Sequence, residues 1–299
     1  MKIIDPHLHL FNLKQGDYHW LKADNPPFWP DKALINKTFK ESALALEPPL
    51  ELAAFVHMEA GFDNSQPWRE LEMLTKSGNK DFRAIANIDL TASNQAVKQN
   101  LAILAKQPSF IGVRHLLNEQ ALNLLTNKHV LSNINLLNDF AVREMKQGLI
   151  FEAQLGLTEH APVNALCEVI SDNPNIRFII NHAGFPPKDS QTIEWQRWQS
   201  NLRKLAMFAH VAIKCSGWEM INRNYQPDWL NENLTLILAI FGADKMMLAS
   251  NFPLCLFNKN SYQDYWQSII TGDFFQALSR QEKSVLCYDN ALRWYTLPR

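Results

Sequence analysis

Eight short apolar segments recur along the chain, and this repetition limits the possible folds more than any other feature of the sequence. Each segment is about as long as a β-strand, and most are apolar on both faces, which is typical of strands covered on both sides. The predicted strands are 2–10, 52–60, 82–90, 110–117, 148–155, 176–184, 210–217 and 245–253.

The segments between these strands are long enough for helices. Helices are predicted over 68–78, 93–107, 134–148, 161–174, 193–209 and 230–242, the last beginning at Asp228 or Asn231. Eight strands that alternate with helices predict an α/β fold, a distorted (β/α)8 TIM barrel with residues 1–299 in a single domain. An open doubly wound sheet is the competing topology.

The composition argues against nucleic acid as a partner. The chain has 29 Lys and Arg residues against 30 Asp and Glu residues, and it contains no basic run. Phosphate binding needs clustered positive charges. Hydrophobic residues make up 46% of the chain, which is enough for a large core. We therefore expect a globular protein that acts on a small molecule, and a homo-oligomer is left open.

Neither an export signal nor a membrane span is predicted. Two His and one Asp interrupt the apolar run at residues 1–11, so the core of a signal peptide does not form. No segment reaches the roughly 18 apolar residues of a spanning helix. The four cysteines lie far apart and form no CxxC pair, which predicts reduced thiols and a cytoplasmic protein.

The longest irregular segment covers residues 11–37. It combines three prolines with large aromatic side chains, namely Trp20, Pro26, Pro27, Phe28, Trp29 and Pro30. In a barrel of this kind, the loops that follow the strands build the active site. The segment therefore predicts either a wall or lid of the pocket, or simple packing over the mouth of the barrel.

The sequence Asp5-Pro6-His7-Leu8-His9 carries the sharpest chemical signal. Side chains alternate along a strand, so His7 and His9 point to the same face and can share one ion or one substrate oxygen. Pro6 cannot donate to a strand ladder, which predicts a local irregularity. Two histidines at a polar strand edge are the alternative.

The segment DPHLHLF (5–11) resembles the first-strand motif of the amidohydrolase superfamily, particularly its amidohydrolase-2 branch of lactonase-like and decarboxylase-like TIM barrels. Further blocks similar to the lactonase-like members follow in the expected order across the whole chain. These are FVHMEAG (55–61), GVRHLLN (112–118), INHAGFP (180–186), KCSG (214–217), MLASNFPL (247–254) and YDNALRWY (288–295).

The resemblance implies that His7, His9 and His182 are ligands of a metal or of the substrate. Three neutral imidazoles would suit a single divalent ion, Zn²⁺ in particular, which leaves a position open for water. Such an ion lowers the pKa of bound water toward about 7 and polarises a carbonyl. Some lactonase-like members work without a metal, so a site without one is the alternative.

Two positions depart from the superfamily pattern. Asn251 stands where the eighth strand usually ends in an Asp that acts as the base, and an amide can orient water but cannot take its proton. The end of the fifth strand, 151–155, offers no histidine, which argues against a two-metal site. Glu59 is the predicted replacement base, and an ion pair with Arg114 is its alternative role.

Four further side chains are predicted to bind substrate. The guanidinium of Arg114 can clamp a carboxylate, and Lys214 lies near the end of the seventh strand. Trp218 is predicted as the floor of the pocket. His57 shares the predicted face of Glu59, although packing away from the substrate is its alternative role.

These features predict a hydrolase that opens a small carbonyl ester, a sugar-derived or dicarboxylate lactone. Carbonyl polarisation by His7, His9 and His182 and a water positioned by Asn251 would suffice for this reaction. A nonoxidative decarboxylase of an aromatic acid on the same fold is one alternative, although it would usually need the missing Asp. A relative that binds a small molecule without catalysis is the other.

Overall fold

The computed structural model describes residues 1–145 and 148–298, and eight parallel strands there form one sheet whose order follows the chain. The strands are β1 (Lys2–Leu8), β2 (Glu51–Met58), β3 (Asp81–Asn87), β4 (Phe110–Arg114), β5 (Leu149–Ala153), β6 (Ile176–Ile180), β7 (Val211–Cys215) and β8 (Met246–Leu248). With helices between the strands, this is the predicted (β/α)8 barrel.

The barrel closes between β1 and β8 by a few contacts near its mouth rather than by a full ladder. A parallel bridge joins Leu8 to Phe252, and the Asn251 amide donates to the His7 carbonyl at 2.9 Å. The side chain of Asp5 accepts from the Ser250 amide at 3.1 Å. The register of β1 against β2 shifts between Asp5 and Leu8, which confirms the irregularity predicted from Pro6.

Helices surround the sheet and cover its outer face. They are α1 (Trp68–Ser77), α2 (Asn94–Leu104), α3 (Ala121–Leu125), α4 (Lys128–Glu144), α5 (His160–Asp172), α6 (Ile193–Ala206), α7 (Trp218–Ile221), α8 (Pro227–Phe241), α9 (Tyr262–Ile270), α10 (Asp273–Ala277), α11 (Arg280–Ser284) and α12 (Asn290–Trp294). A π-helical turn, Val285–Asp289, joins the last two. Within the described ranges, no helix combines the length and apolarity required to cross a membrane.

Two predicted helix starts were wrong. Helix α4 begins six residues before position 134, because Asn127 caps it by accepting from the amides of His129 and Val130. Helix α8 begins at Pro227, where the missing amide hydrogen of proline has no cost. Residues 146 and 147, inside the predicted helix 134–148, and residue 299 lie outside the described residues.

The predicted strands extend too far at their carboxyl ends. The run 176–184 is a strand only as far as Ile180, and 245–253 only as far as Leu248. His182 and Asn251 have φ values of 51° and 56°. Because this left-handed conformation ends a strand, the residues that follow enter the loops at the mouth of the barrel.

A separate apolar cluster fills the barrel interior. It is built from alternate strand residues, together with the C-terminal segment, namely Ile4, Ala54, Val56, Met58, Ile85, Ile111, Ile150, Ile179, Ala212, Met247, Ala291, Trp294, Tyr295 and Leu297. The other strand residues pack outward against the helices. The site is therefore supported by a packed core rather than by an open channel.

Candidate active site

The carboxyl ends of the strands open into a cavity of about 1510 Å³. Five of the residues predicted for the site line it, namely His9, Glu59, Arg114, His182 and Asn251. The first loop forms another part of the wall through Asp17, His19, Trp20, Pro26, Pro27 and Trp29. The segment 11–37 thus contributes a wall of the cavity, one of its two predicted roles.

Hydrogen bonds from polar side chains hold this first loop in place. Trp20 Nε1 donates to the Ala60 carbonyl at 2.7 Å. The ammonium of buried Lys32 donates to the carbonyls of Lys22 and Asn25 at 3.0 and 2.6 Å. The wall is therefore anchored both to the β2 end and within itself.

Three imidazole rings meet at the inner end of the cavity. The ring centroid of His7 lies 5.3 Å from that of His9 and 4.6 Å from that of His182. His7 is fully buried, whereas His9 and His182 reach the cavity wall. Alternation along β1 predicted the first pair, and the loop after β6 brings in the third ring.

Hydrogen bonds to these rings determine which nitrogens remain available. His9 Nδ1 lies 3.0 Å from the Met58 carbonyl, which only accepts, so Nδ1 carries the proton and Nε2 keeps a lone pair. His182 Nδ1 lies 3.1 Å from Ser216 Oγ. Neither ring nitrogen of His7 has a protein partner among the described residues.

All three histidines are neutral at pH 7. Burial lowers the pKa of each well below 6.5, and nearby cations lower it further. Lys214 is the main cation for His7, and Arg114 is the main one for His9 and His182. Neutral imidazoles have the lone pairs that a metal requires, or an N–H that can polarise a carbonyl.

An unusual backbone places His182 in this cluster. His182, Ala183, Gly184 and Phe185 all have φ values between 51° and 66°. The Trp198 indole donates to the Ala183 carbonyl at 2.9 Å, and the Leu157 amide donates to the Gly184 carbonyl at 3.0 Å. Such backbone conformations are costly outside glycine, and they persist only where surrounding contacts enforce them.

Gly217→Ala is expected to displace His182. Gly217 has a φ of 71°, and a Cβ atom there would lie 2.4 Å from His182 Nδ1. Because a misplacement of 1 Å can cost 10²-fold in rate, we expect a loss of about 100-fold in kcat. Steady-state kinetics would measure it. Gly242→Ala, at a φ of 74° with open space around the added Cβ, controls for backbone strain alone. Equal losses in both variants would contradict the prediction.

Arg114 and Glu59 form a buried ion pair on the cavity wall. Arg114 Nε donates to Glu59 Oε1 at 2.7 Å, and Nη2 donates to the Glu59 carbonyl at 2.8 Å. Arg114 Nη1 also donates to Gln154 at 3.1 Å. The pairing that was the alternative for Glu59 is thus present. Both residues still line the cavity, so each of them can also contact a substrate there.

Asn251 lies beside an acidic residue that the sequence analysis missed. Its Nδ2 donates to Glu219 Oε1 at 2.6 Å, while its Oδ1 is buried and has no partner in the described chain. Burial raises the pKa of Glu219 to about 7. The signal that would have found this residue is a single acid placed two residues after Gly217, in the loop that follows β7.

Lys214 lies behind the cavity wall and inside the barrel. Its ammonium donates to Glu152 Oε1 at 2.8 Å, and the Tyr295 hydroxyl donates to the same oxygen at 2.6 Å. Asn181 donates to the other oxygen of Glu152. Lys214 is completely buried and is absent from the cavity lining. The structure therefore gives it an internal partner in place of the predicted contact with substrate.

His57 and Trp218 also lie off the cavity lining. His57 faces α1, where its Nε2 lies 3.0 Å from Glu70 Oε1 and its Nδ1 accepts from the Leu10 amide at 3.3 Å. The expected shared face with Glu59 was wrong, because His57 packs against Glu70 of α1 whereas Glu59 lines the cavity. Trp218 packs edge-on against Trp229, with ring centroids 5.9 Å apart.

The donor chemistry, but not the arrangement, fits a divalent metal. The unpartnered nitrogens of buried His7 are what a metal-binding imidazole provides, and the contact of His9 with a carbonyl is typical of the support around such ligands. Within residues 1–145 and 148–298, however, no three His, Cys, Asp or Glu side chains converge as a metal-binding group.

The chain is similar to known proteins in both sequence and fold. Residues 4–297 match the model of the amidohydrolase family. The uncharacterized protein y4mH of Sinorhizobium fredii is 30% identical over 313 residues, which cover 98% of each chain. The L-fucono-1,5-lactonase of Burkholderia multivorans is 30% identical over 159 residues, or 50% of each chain.

A solved structure supports the fold independently. A zinc-bound amidohydrolase of Burkholderia multivorans is similar with a TM-score of 0.77 and 19% identity, and the match covers 100% of both chains. The family match extends over every strand of the barrel except the first two residues of β1. From this match across nearly its whole length, the chain belongs to the amidohydrolase family.

Proposed function

We propose that the protein is a hydrolase that opens a neutral, sugar-derived lactone. The observation that carries this proposal is the charge on the cavity wall. Its carboxylates are Asp17, Glu59, Asp63, Glu119 and Glu159, whereas Arg114 is the one Lys or Arg among its described lining residues. A substrate carboxylate entering this cavity would meet more negative than positive charge.

The cations around the cavity already have carboxylate partners. Arg114 is paired with Glu59 inside the cavity. At the rim, Lys22 pairs with Asp17, Arg69 with Asp63 and Arg197 with Glu159. Inside the cavity, a dicarboxylate lactone would have to break the buried Arg114–Glu59 pair or bury its own charge unpaired, which costs several kcal/mol. A neutral polyhydroxy lactone needs only hydrogen bonds, which the carboxylates can accept.

The site residues divide the hydrolytic reaction between them. A neutral imidazole from the His7, His9 and His182 cluster polarises the lactone carbonyl. Asn251 Oδ1 accepts a hydrogen bond from the attacking water. The water oxygen bonds to the carbonyl carbon, the ring C–O bond breaks, and the ring oxygen takes up a proton to yield the open hydroxy acid. Glu59 is the candidate acceptor of the water proton.

His7, His9 and His182 are the side chains that would hold a divalent ion such as zinc. When bound, such an ion would strengthen carbonyl polarisation and lower the pKa of its water. The relative that carries zinc supports the proposal. The name of the L-fucono-1,5-lactonase relative supports the choice of a sugar lactone.

The test is to measure the hydrolysis of a panel of neutral sugar 1,5-lactones and of a pyrone dicarboxylate, using a pH indicator to detect the acid that is released. We expect kcat/KM to favour the neutral lactones by at least about 100-fold, because burial of an unpaired carboxylate costs several kcal/mol. Glu59→Gln releases Arg114 for the substrate and should reduce this preference by about tenfold. The ratio between substrates cancels any loss common to both, including loss of a base.

Glu119→Gln is the matched control for Glu59→Gln. It removes the same charge from the same wall, but Glu119 does not pair with Arg114. The ratio of kcat/KM between neutral and dicarboxylate lactones should therefore stay within about twofold of the ratio for the unmodified protein, since exposed charges contribute little. A preference for the dicarboxylate would overturn the proposed substrate class. Failure to hydrolyse any lactone would overturn the proposed activity.

A further inference from the structure

Glu219 is a buried acid in direct contact with the cavity residue Asn251. It lies in α7, directly after β7, and only 1% of its surface is exposed. Glu219 Oε1 accepts from Asn251 Nδ2 at 2.6 Å, and Glu219 Oε2 has no partner among the described residues. The mechanism above does not use this side chain.

This contact selects one orientation of the Asn251 amide. Above about pH 7, where Glu219 is ionised, its carboxylate can only accept hydrogen bonds, so it must face the NH2 group of an amide and not the carbonyl oxygen. The backbone of Asn251 is held as well, because its amide donates to the His7 carbonyl at 2.9 Å. With Nδ2 turned to Glu219, Oδ1 is the acceptor that Asn251 has left for a molecule in the cavity.

We infer that Glu219 is a positioning residue that holds the Asn251 carbonyl oxygen toward the cavity, where this oxygen accepts a hydrogen bond from the attacking water. The inference rests on the proposed hydrolysis. In this arrangement, two residues together take the place of the Asp that usually ends the eighth strand. Asn251 supplies the oxygen, and Glu219 supplies the negative charge one side chain farther from the substrate.

The hydrogen bond from Asn251 is the main interaction of the Glu219 carboxylate. Arg223, on the same loop, donates to the Glu219 main-chain carbonyl and pairs with Asp31 at 2.7 Å. The other titratable groups that face Glu219 are Tyr225, Tyr265 and Cys255. Burial raises the pKa of all three, so they are neutral at pH 7 and bring no further charge.

The test exchanges the two functional groups. Asn251→Asp places two carboxylates in contact, and we expect kcat to fall by about 100-fold. Glu219→Gln places an amide beside Asn251 that can either donate or accept, so the orientation of the Asn251 side chain is no longer selected. We therefore expect kcat to fall by about tenfold while KM changes less than about twofold. In the double variant Glu219→Gln/Asn251→Asp, the new amide at position 219 can donate to the new carboxylate at position 251, which restores the hydrogen bond with donor and acceptor exchanged. The kcat of the double variant should therefore be at least about tenfold higher than that of Asn251→Asp.

Glu232→Gln, an exposed acid on α8, is the control and should leave kcat unchanged. The inference is overturned if Glu219→Gln leaves kcat unchanged, or if the double variant is no better than Asn251→Asp. A general folding defect would instead lower the folded fraction measured by circular dichroism and would not be relieved by a second substitution.

A second measurement separates this inference from the proposed function. The side-chain NH2 signal of Asn251 can be assigned by NMR from its loss in Asn251→Asp. It should shift in Glu219→Gln but not in Glu232→Gln, whether or not any lactone is hydrolysed. An unmoved signal would overturn the inference even in an active lactonase, whereas a shifted signal in an inactive protein would overturn only the proposed activity.

Discussion

His7→Ala is expected to lower kcat/KM for lactone hydrolysis by about 10²- to 10³-fold, the loss that follows removal of one preorganised group at a reacting carbonyl. His7 is the central ring of its cluster, within 5.3 Å of His9 and 4.6 Å of His182. Both of its nitrogens are buried without a protein partner. A ring that serves only packing would normally have its nitrogens satisfied.

The same variant tests metal binding. Elemental analysis of protein purified without a histidine tag shows whether a divalent metal is present, and a metal held by the cluster should be lost in His7→Ala. His129→Ala is the control, because His129 is exposed at the start of α4 and bonds to the Ala92 carbonyl. Full activity in His7→Ala would refute the role of the cluster. Activity lost without any change in metal content would favour imidazoles acting directly.

Lys214→Met is expected to destabilise the protein by about 3–5 kcal/mol, because it leaves a buried carboxylate without its counter-charge. Lys214 and Glu152 are both fully buried, and their charged atoms lie 2.8 Å apart. Adding Glu152→Gln removes the unpaired charge, so the double variant should recover most of the loss. Urea unfolding followed by circular dichroism would measure all three proteins.

The exposed pair of Arg197 and Glu159 provides the control for this experiment. Arg197→Met should cost less than about 1 kcal/mol, since exposed ion pairs contribute little. If Lys214→Met is as stable as the unmodified protein and instead raises KM, then Lys214 contacts substrate after all. That outcome would restore the role predicted from the sequence.

Lys214 also gives the stability a defined dependence on pH. Burial lowers its pKa from 10.5 to about 8. A lysine with a lowered pKa in the folded state adds stability that is present above the pKa of the unfolded state and is lost as pH falls through about 8. Relative to the Lys214→Met/Glu152→Gln variant, the unfolding free energy should therefore rise between pH 8 and 10.5.

Local patterns were sufficient for the part of this protein that depends on chain periodicity. Eight apolar segments predicted eight strands, since a strand buried on both faces must be apolar along its length. Period-two alternation predicted that His7 and His9 lie together, and the DPHLHLF motif predicted the family. These features follow from neighbouring residues, and distant contacts do not change them.

Tertiary structure decided what happens where the strands end. The left-handed backbone at His182 and Asn251 is enforced by contacts with residues distant in sequence, such as Trp198. His57 and Glu59 are separated as well, because His57 bonds to Glu70 of α1 and Glu59 lines the cavity.

The partners of the charged residues were beyond the sequence for the same reason. Lys214 pairs with Glu152, 62 residues away, and Asn251 with Glu219, 32 residues away. A buried charge must find its counterpart wherever the barrel brings one, and only the closed sheet determines which residues become neighbours. The sequence by itself therefore determined the barrel and its family, whereas the three-dimensional packing decided which of the candidate side chains face the substrate.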